Sequence, residues 1–89
     1  FDINNPENLS GLGYYYFEIG KYEEAIKYLL KAVESNNNDS KSWQWLGCSY
    51  HESKRYEEAI KSLLKAIELN TSDSKNFQWL GGSYLQNKN

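Results

Sequence analysis

The chain has 89 residues, of which 39% are hydrophobic and 25% charged, and its net charge is −2. That length makes one small domain at most, and an isoelectric point near 5.3 leaves no basic field to hold a phosphate backbone. No apolar run approaches the roughly 18 residues of a membrane span, no signal peptide is visible, and one cysteine with one histidine excludes an internal disulfide or a Cys-based zinc cluster.

In chain order, the first predicted helix opens at Asn5-Pro6-Glu7: asparagine caps, proline fits the first helical position, and glutamate favours the positive end. Leu9, Leu12, Gly13 and Tyr16 then recur at three- and four-residue steps as an inward stripe, and Gly20 ends the helix. A second helix starts near Tyr22 and turns Ala25, Ile26, Leu29, Ala32 and Val33 inward, with Glu23 and Lys27 paired on its outer face. The stretch SNNNDS breaks it and supplies the next cap, Asp39 or Ser40. From there the plan repeats, with NTSDS as the second closing turn. No strand-like alternation occurs, so the expected fold class is all-α.

The repetition is exact in period. Residues 21–36, KYEEAIKYLLKAVESN, return as RYEEAIKSLLKAIELN at 55–70, and WQWLGCSY at 43–50 returns as FQWLGGSY at 77–84. Both offsets are 34, and residues 6–39 and 40–73 are identical at 17 of 34 aligned positions. The expected organisation is a tail of a preceding repeat at 1–5, repeats at 6–39 and 40–73, and the first helix of a third repeat at 74–89. The chain starts at Phe1 and has no methionine, which suggests a piece of a longer array. Mid-helix Gly13, Gly47 and Gly81 each cost about 1 kcal/mol relative to alanine. They are expected to admit a close neighbouring helix, with Ala25, Ala32, Ala59 and Ala66 as the matching small sites. A single hairpin cannot bury its apolar faces, whereas stacked hairpins can.

The signature Trp43-x2-Leu46-Gly47-x2-Tyr50 followed by Ala59-x3-Leu63, echoed by Leu9-x2-Leu12-Gly13-x2-Tyr16 and Phe77-x2-Leu80-Gly81-x2-Tyr84, resembles the tetratricopeptide repeat. The resemblance covers essentially the whole chain. It departs where the family's closing proline is Asn37 and Thr71, and where leucine stands for phenylalanine. It implies a right-handed α-α superhelix, a solenoid of antiparallel helix hairpins with about five helices here. It also implies a protein-interaction scaffold that holds a peptide or helix of a partner in its concave groove.

Catalysis needs converging groups, and the chain offers few. Cys48 and His51 share a helix three residues apart, but as ordinary solvent-side residues; Glu23-Glu24 and Glu57-Glu58 sit at helix starts, where they complement the dipole. No enzyme activity, cofactor or metal is expected. Rotating away from the inward stripe gives Lys41, Gln44, Trp45, Cys48 and Glu52, then Lys75, Gln78, Trp79, Gly82 and Gln86 one repeat on, and Tyr14 with Gly11 one repeat before. The resemblance makes this second stripe the groove side, so Tyr14, Lys41, Gln44, Trp45, Cys48, Lys75, Gln78 and Trp79 are its candidate lining. Two readings of Trp45 and Trp79 stay open: they anchor a ligand, or they stack between hairpins and stiffen the solenoid. Gly11 leaves a gap beside Trp45 that would make a pocket. The lysine, asparagine and arginine clamp by which relatives bind acidic chaperone termini finds only Lys75 among Ser10, Tyr14, Trp45, Lys75 and Trp79. An asparagine ladder would need asparagine at Gly11, Trp45 and Trp79. The expected partner is a protein or peptide, not nucleic acid or membrane, in a cytoplasmic setting. The alternative is a structural spacer or self-association module, forming homo-oligomers through an uncovered terminal helix.

Overall fold

The computed structural model describes residues 6–88. Five helices follow one another: α1 (Pro6–Glu18), α2 (Tyr22–Ser35), α3 (Ser40–Glu52), α4 (Tyr56–Leu69) and α5 (Ser74–Asn87). The expected Asn5 cap and the 1–5 tail lie outside the described residues. Helices α1, α3 and α5 begin at Pro6, Ser40 and Ser74, 34 residues apart, so the sequence period is carried into the backbone. No strand occurs among the described residues.

The two hairpin turns solve one geometric problem with different residues. After α1 the chain reverses through Gly20 at φ +84°, and Lys21 N–H reaches back to the Tyr16 carbonyl. After α3 the equivalent place is Lys54, at φ +66°, and Arg55 N–H reaches the Tyr50 carbonyl. Left-handed backbone is ordinary for glycine and costs a lysine roughly 1 kcal/mol. The turns between hairpins lack proline yet are built alike. Asn36 Oδ1 accepts from Asn38 N–H and Asn70 Oδ1 from Ser72 N–H, and Asp39 and Asp73 then cap α3 and α5 by accepting from Lys41 and Lys75 N–H. Side-chain amides thus hold the bend that a proline would otherwise fix.

Within each hairpin a leucine enters a glycine notch. A Cβ on Gly47 would lie 2.6 Å from Leu63 Cγ and 3.3 Å from the Ala59 carbonyl oxygen, and one on Gly13 would collide with Leu29. The close neighbour of each glycine is therefore this leucine, with the alanines beside it; Ala25, Ala32, Ala59 and Ala66 are all buried. Leu29, Leu46 and Leu63 are among the largest wholly buried side chains, and removing one down to alanine would cost about 2–5 kcal/mol. A Cβ on Gly81 meets nothing within 4 Å, because no helix packs on that side of α5 among the described residues.

Helix α3 packs against both α1 and α5 as well as its hairpin partner α4, whereas α2 and α4 do not touch each other. The first helices of the hairpins therefore occupy the inner, tighter side of the curve. The result is an all-α helical-repeat solenoid, 40 × 26 × 17 Å. No helix among the described residues is long and apolar enough to cross a membrane.

Candidate functional site

The inner side is organised by a polar seam and an aromatic row. In the seam, Ser42 Oγ lies 2.9 Å from Asp39 Oδ2 and 2.9 Å from Ser10 Oγ of α1. The Gln44 amide donates to Asp73 Oδ2 and to Asn76 Oδ1, each at 2.9 Å, and Lys41 Nζ reaches the same Asp73 oxygen at 3.4 Å. His51 Nδ1 is 2.8 Å from Ser83 Oγ. Ser10–Ser42, Gln44–Asn76 and His51–Ser83 all span 32 residues, so neighbouring first helices meet in one fixed register.

The aromatic row crosses three helices. Tyr14 of α1 lies 4.5 Å from Trp45 of α3, ring centre to ring centre, and Phe17 is 5.9 Å from Trp45. Phe17 is also 6.3 Å from Trp79 of α5, and Trp79 is 5.3 Å from His51. Edge-on and tilted contacts at these separations are favourable, about 0.5–1.5 kcal/mol per pair. The tryptophans do not pair with each other; Phe17 stands between them. His51 repeats the role of Phe17 one unit later: Phe17 contacts Tyr22 and Trp45, and His51 contacts Tyr56 and Trp79.

The candidate groove residues divide into two groups. Tyr14 (38% exposed), Lys41, Lys75 and Gln78 reach solvent, and Trp45 and Trp79 are half-buried. Gln44 and Cys48 do not reach it: they are 1% and 0% exposed, packed into the seam between α3 and its neighbours. The expectation that both line an open groove is corrected here, because the next first helix covers them. Gln44 spends its amide donors on α5, while its Oε1 has no protein partner. Cys48 and His51 are likewise not solvent-side: the thiol is buried, and His51 is half-buried and bonded to Ser83. Burial first, then the charges of Glu52 and Asp73, push the Cys48 thiol up to about 12, the opposite of an activated nucleophile. No group of His, Cys, Asp and Glu among the described residues is arranged to hold a metal. The space beside Gly11 is open, and a cavity of about 290 Å³ lies at the other end, lined by His51, Gln78, Trp79 and Gly82. Phe17 and His51 were the residues absent from the candidate stripe, although each follows a stripe member, Tyr14 or Cys48, by three positions on the same helix.

Paired helices at a 34-residue period, a leucine in each complete glycine notch, and an inner face of first helices define a tetratricopeptide-repeat module. Residues 1–66 match the family model of the anaphase-promoting complex, cyclosome, subunit 3, and the chain belongs to that family of repeats. Comparison with curated proteins gives no match. Among solved structures, the chain is similar to MamA, at 32% identity and TM-score 0.94 over 98% of this chain and 51% of MamA. It is also similar to the second tetratricopeptide domain of Spaghetti (RPAP3), solved bound to the HSP90 peptide SRMEEVD, at 26% identity and TM-score 0.87, over 93% of this chain and 77% of that one. The first domain of the same protein shares the fold at TM-score 0.93 and 22% identity, over 99% of this chain and 70% of that one. The chain thus spans about half the length of MamA. It is a protein-interaction repeat module.

Proposed function

We propose that this module binds a peptide or helical segment of a partner protein on its inner face. The carrying observation is the row Tyr14, Trp45, Phe17, Trp79 and His51, which runs across three helices with its rings half-buried to exposed. Aromatic side chains fixed from behind and open in front supply large contact area at small entropic cost, which is why they dominate binding energy. Lys41, Lys75 and Gln78 stand exposed beside the row to orient a main chain or an acidic side chain. Gln44 and Cys48 act from behind, by fixing the register of the helices. The similar Spaghetti domain, solved with a peptide, supports an interaction of this general kind.

The experiment selects peptides from a displayed library on this chain and measures their affinity for a Trp45→Ala/Trp79→Ala variant and for Tyr14→Ala. Affinity falls by about tenfold or more for each, since an anchor is worth about 2 kcal/mol. Unchanged affinity with preserved helicity would discard the proposal. A second reading, a spacer or self-association module, is favoured by Phe77 (50% exposed), Tyr84 (50%) and Leu85 (66%) on α5. Sedimentation equilibrium separates the two: a concentration-dependent dimer abolished by Phe77→Ser/Leu85→Ser supports self-association, and a monomer at all concentrations removes it.

A further inference from the structure

Helices α2 and α4 do not touch each other, and α3 floors the furrow between them. The furrow holds a cavity of about 190 Å³, between Leu30 of α2 and Glu58, Lys61 and Ser62 of α4, with Trp43 and Tyr50 of α3 beneath. Both walls belong to this chain, so the cavity is complete without a further repeat. One repeat earlier the same place is filled. The counterpart of Ser62 is Tyr28, whose ring stacks on Tyr16 at 5.5 Å with 8° between the planes, and Lys27 Nζ lies 5.6 Å from its centre. Tyr50 is the counterpart of Tyr16, and Lys61 that of Lys27. Serine at position 62 removes the ring and leaves the rest of its setting. Trp43 is larger than its counterpart Leu9, but its indole N–H donates to the Asn37 carbonyl at 2.9 Å, which holds it to the turn and leaves the space unfilled. Burial first, then the Glu58 charge, raise the Tyr50 hydroxyl above its ordinary value, so that carboxylate bears on the cavity floor. Neither Glu58 nor Lys61 forms an ion pair among the described residues.

We infer that this cavity takes the phenol ring of a tyrosine of a partner protein, seated as Tyr28 is seated one repeat earlier. An apolar cavity of about 150 Å³ admits benzene, so the volume here suits a ring that also carries a hydroxyl. The ring lies on Tyr50, and the Lys61 ammonium meets its electron-rich face, as Lys27 meets that of Tyr28. Glu58 accepts the phenol O–H, a bond strengthened by the carboxylate charge. A phenol matches both charges with one group, whereas phenylalanine leaves Glu58 without a donor. Leu30, 40% exposed at the rim, gives apolar contact to the chain that carries the tyrosine. This site is on the outer side of the solenoid and does not depend on the inner aromatic row.

The probes are p-cresol, toluene and the capped peptide acetyl-Gly-Tyr-Gly amide. Each is titrated into the chain and followed by NMR at the Trp43 indole N–H and the Leu30 methyl groups. Saturable shifts are expected with p-cresol and with the peptide at about millimolar concentration, and toluene binds about threefold more weakly or worse. Ser62→Tyr refills the cavity and abolishes these shifts with unchanged circular dichroism. Lys61→Ala and Glu58→Gln, which leave the packed core alone, each weaken p-cresol binding about threefold or more. Tyr14→Ala leaves it unaltered, which separates this site from the inner row. Absence of saturable shifts at about ten millimolar probe, toluene equal to p-cresol, or binding by a folded Ser62→Tyr chain overturns the inference. Binding of p-cresol without the peptide also overturns it, since the cavity then takes only a free phenol. So does a dimer of the chain alone that Ser62→Tyr dissociates, because the tyrosine is then a second copy's.

Discussion

Gly47 and Gly81 hold the same place in the repeat and face opposite physics. An alanine at Gly47 must displace Leu63, and overpacking of that kind costs roughly 1–3 kcal/mol, more than the helix propensity gained. An alanine at Gly81 meets open space and keeps the propensity gain of about 0.5–1 kcal/mol. Urea unfolding should therefore show Gly47→Ala destabilised and Gly81→Ala stabilised; equal signs would contradict the notch. Lys54, at φ +66°, holds the turn that Gly20 makes without strain. Lys54→Gly is expected to raise stability by up to about 1 kcal/mol in the same assay, and Gly20→Ala to lower it by a similar amount. The glycine positions were legible from the sequence; which one was filled was not, since that depends on whether a second helix lies across it. Lys54 gave no sequence signal of positive φ beyond its alignment with Gly20.

Between elements, the decisive group is Asp73. It caps α5, and it also accepts from Gln44 and Lys41 of α3, tying one helix start to the flank of another. The Gln44 hydrogen bond first, then the Lys75 backbone N–H and Lys41, hold its carboxyl below the usual 3.8. A depressed carboxylate stabilises the fold above its unfolded value and loses that contribution as pH falls through the folded one. Thermal melts should therefore drop in midpoint as pH falls below about 4, and Asp73→Asn should flatten part of that drop. An unaltered pH profile in the variant would remove Asp73 from this role. The Asp-Ser-Lys start of α5 announced a cap in the sequence. Its second role was hidden, because Gln44 lies 29 residues away and a helical wheel cannot tell a groove from a seam between stacked helices. The assignment of Gln44 and Cys48 to open surface failed for that reason, while Tyr14, Lys41, Lys75 and Gln78 are exposed as their stripe required.

At the scale of the whole molecule, each unit contacts its neighbours and little else, so stability is a sum of hairpin and interface contributions. Helix α3 packs against α1, α2, α4 and α5, whereas α5 packs on α3 and α4 and otherwise has the single ring contact of Trp79 with Phe17 of α1. Native-state hydrogen exchange should accordingly show the α3 and α4 amides protected about tenfold or more beyond those of α5. Uniform protection would mean that the chain opens as one unit. The same asymmetry leaves Phe77, Tyr84 and Leu85 exposed and the cavity beside Trp79 open among the described residues.

The sequence by itself determined the period, the helix pairs, the caps and the family, because those follow from local chemistry: apolar steps of three and four, acidic caps, breakers, and a register repeated every 34 residues. Only the tertiary structure decided which of two chemically equivalent residues is buried. Gln44 and Gln78 are identical in type and place in the repeat, yet one is locked between helices and the other stands free. Trp45 and Trp79 share a position and meet through Phe17 and not with each other. Burial depends on the neighbour stacked outside the residue's own helix, and that neighbour is set by the curvature of the whole stack.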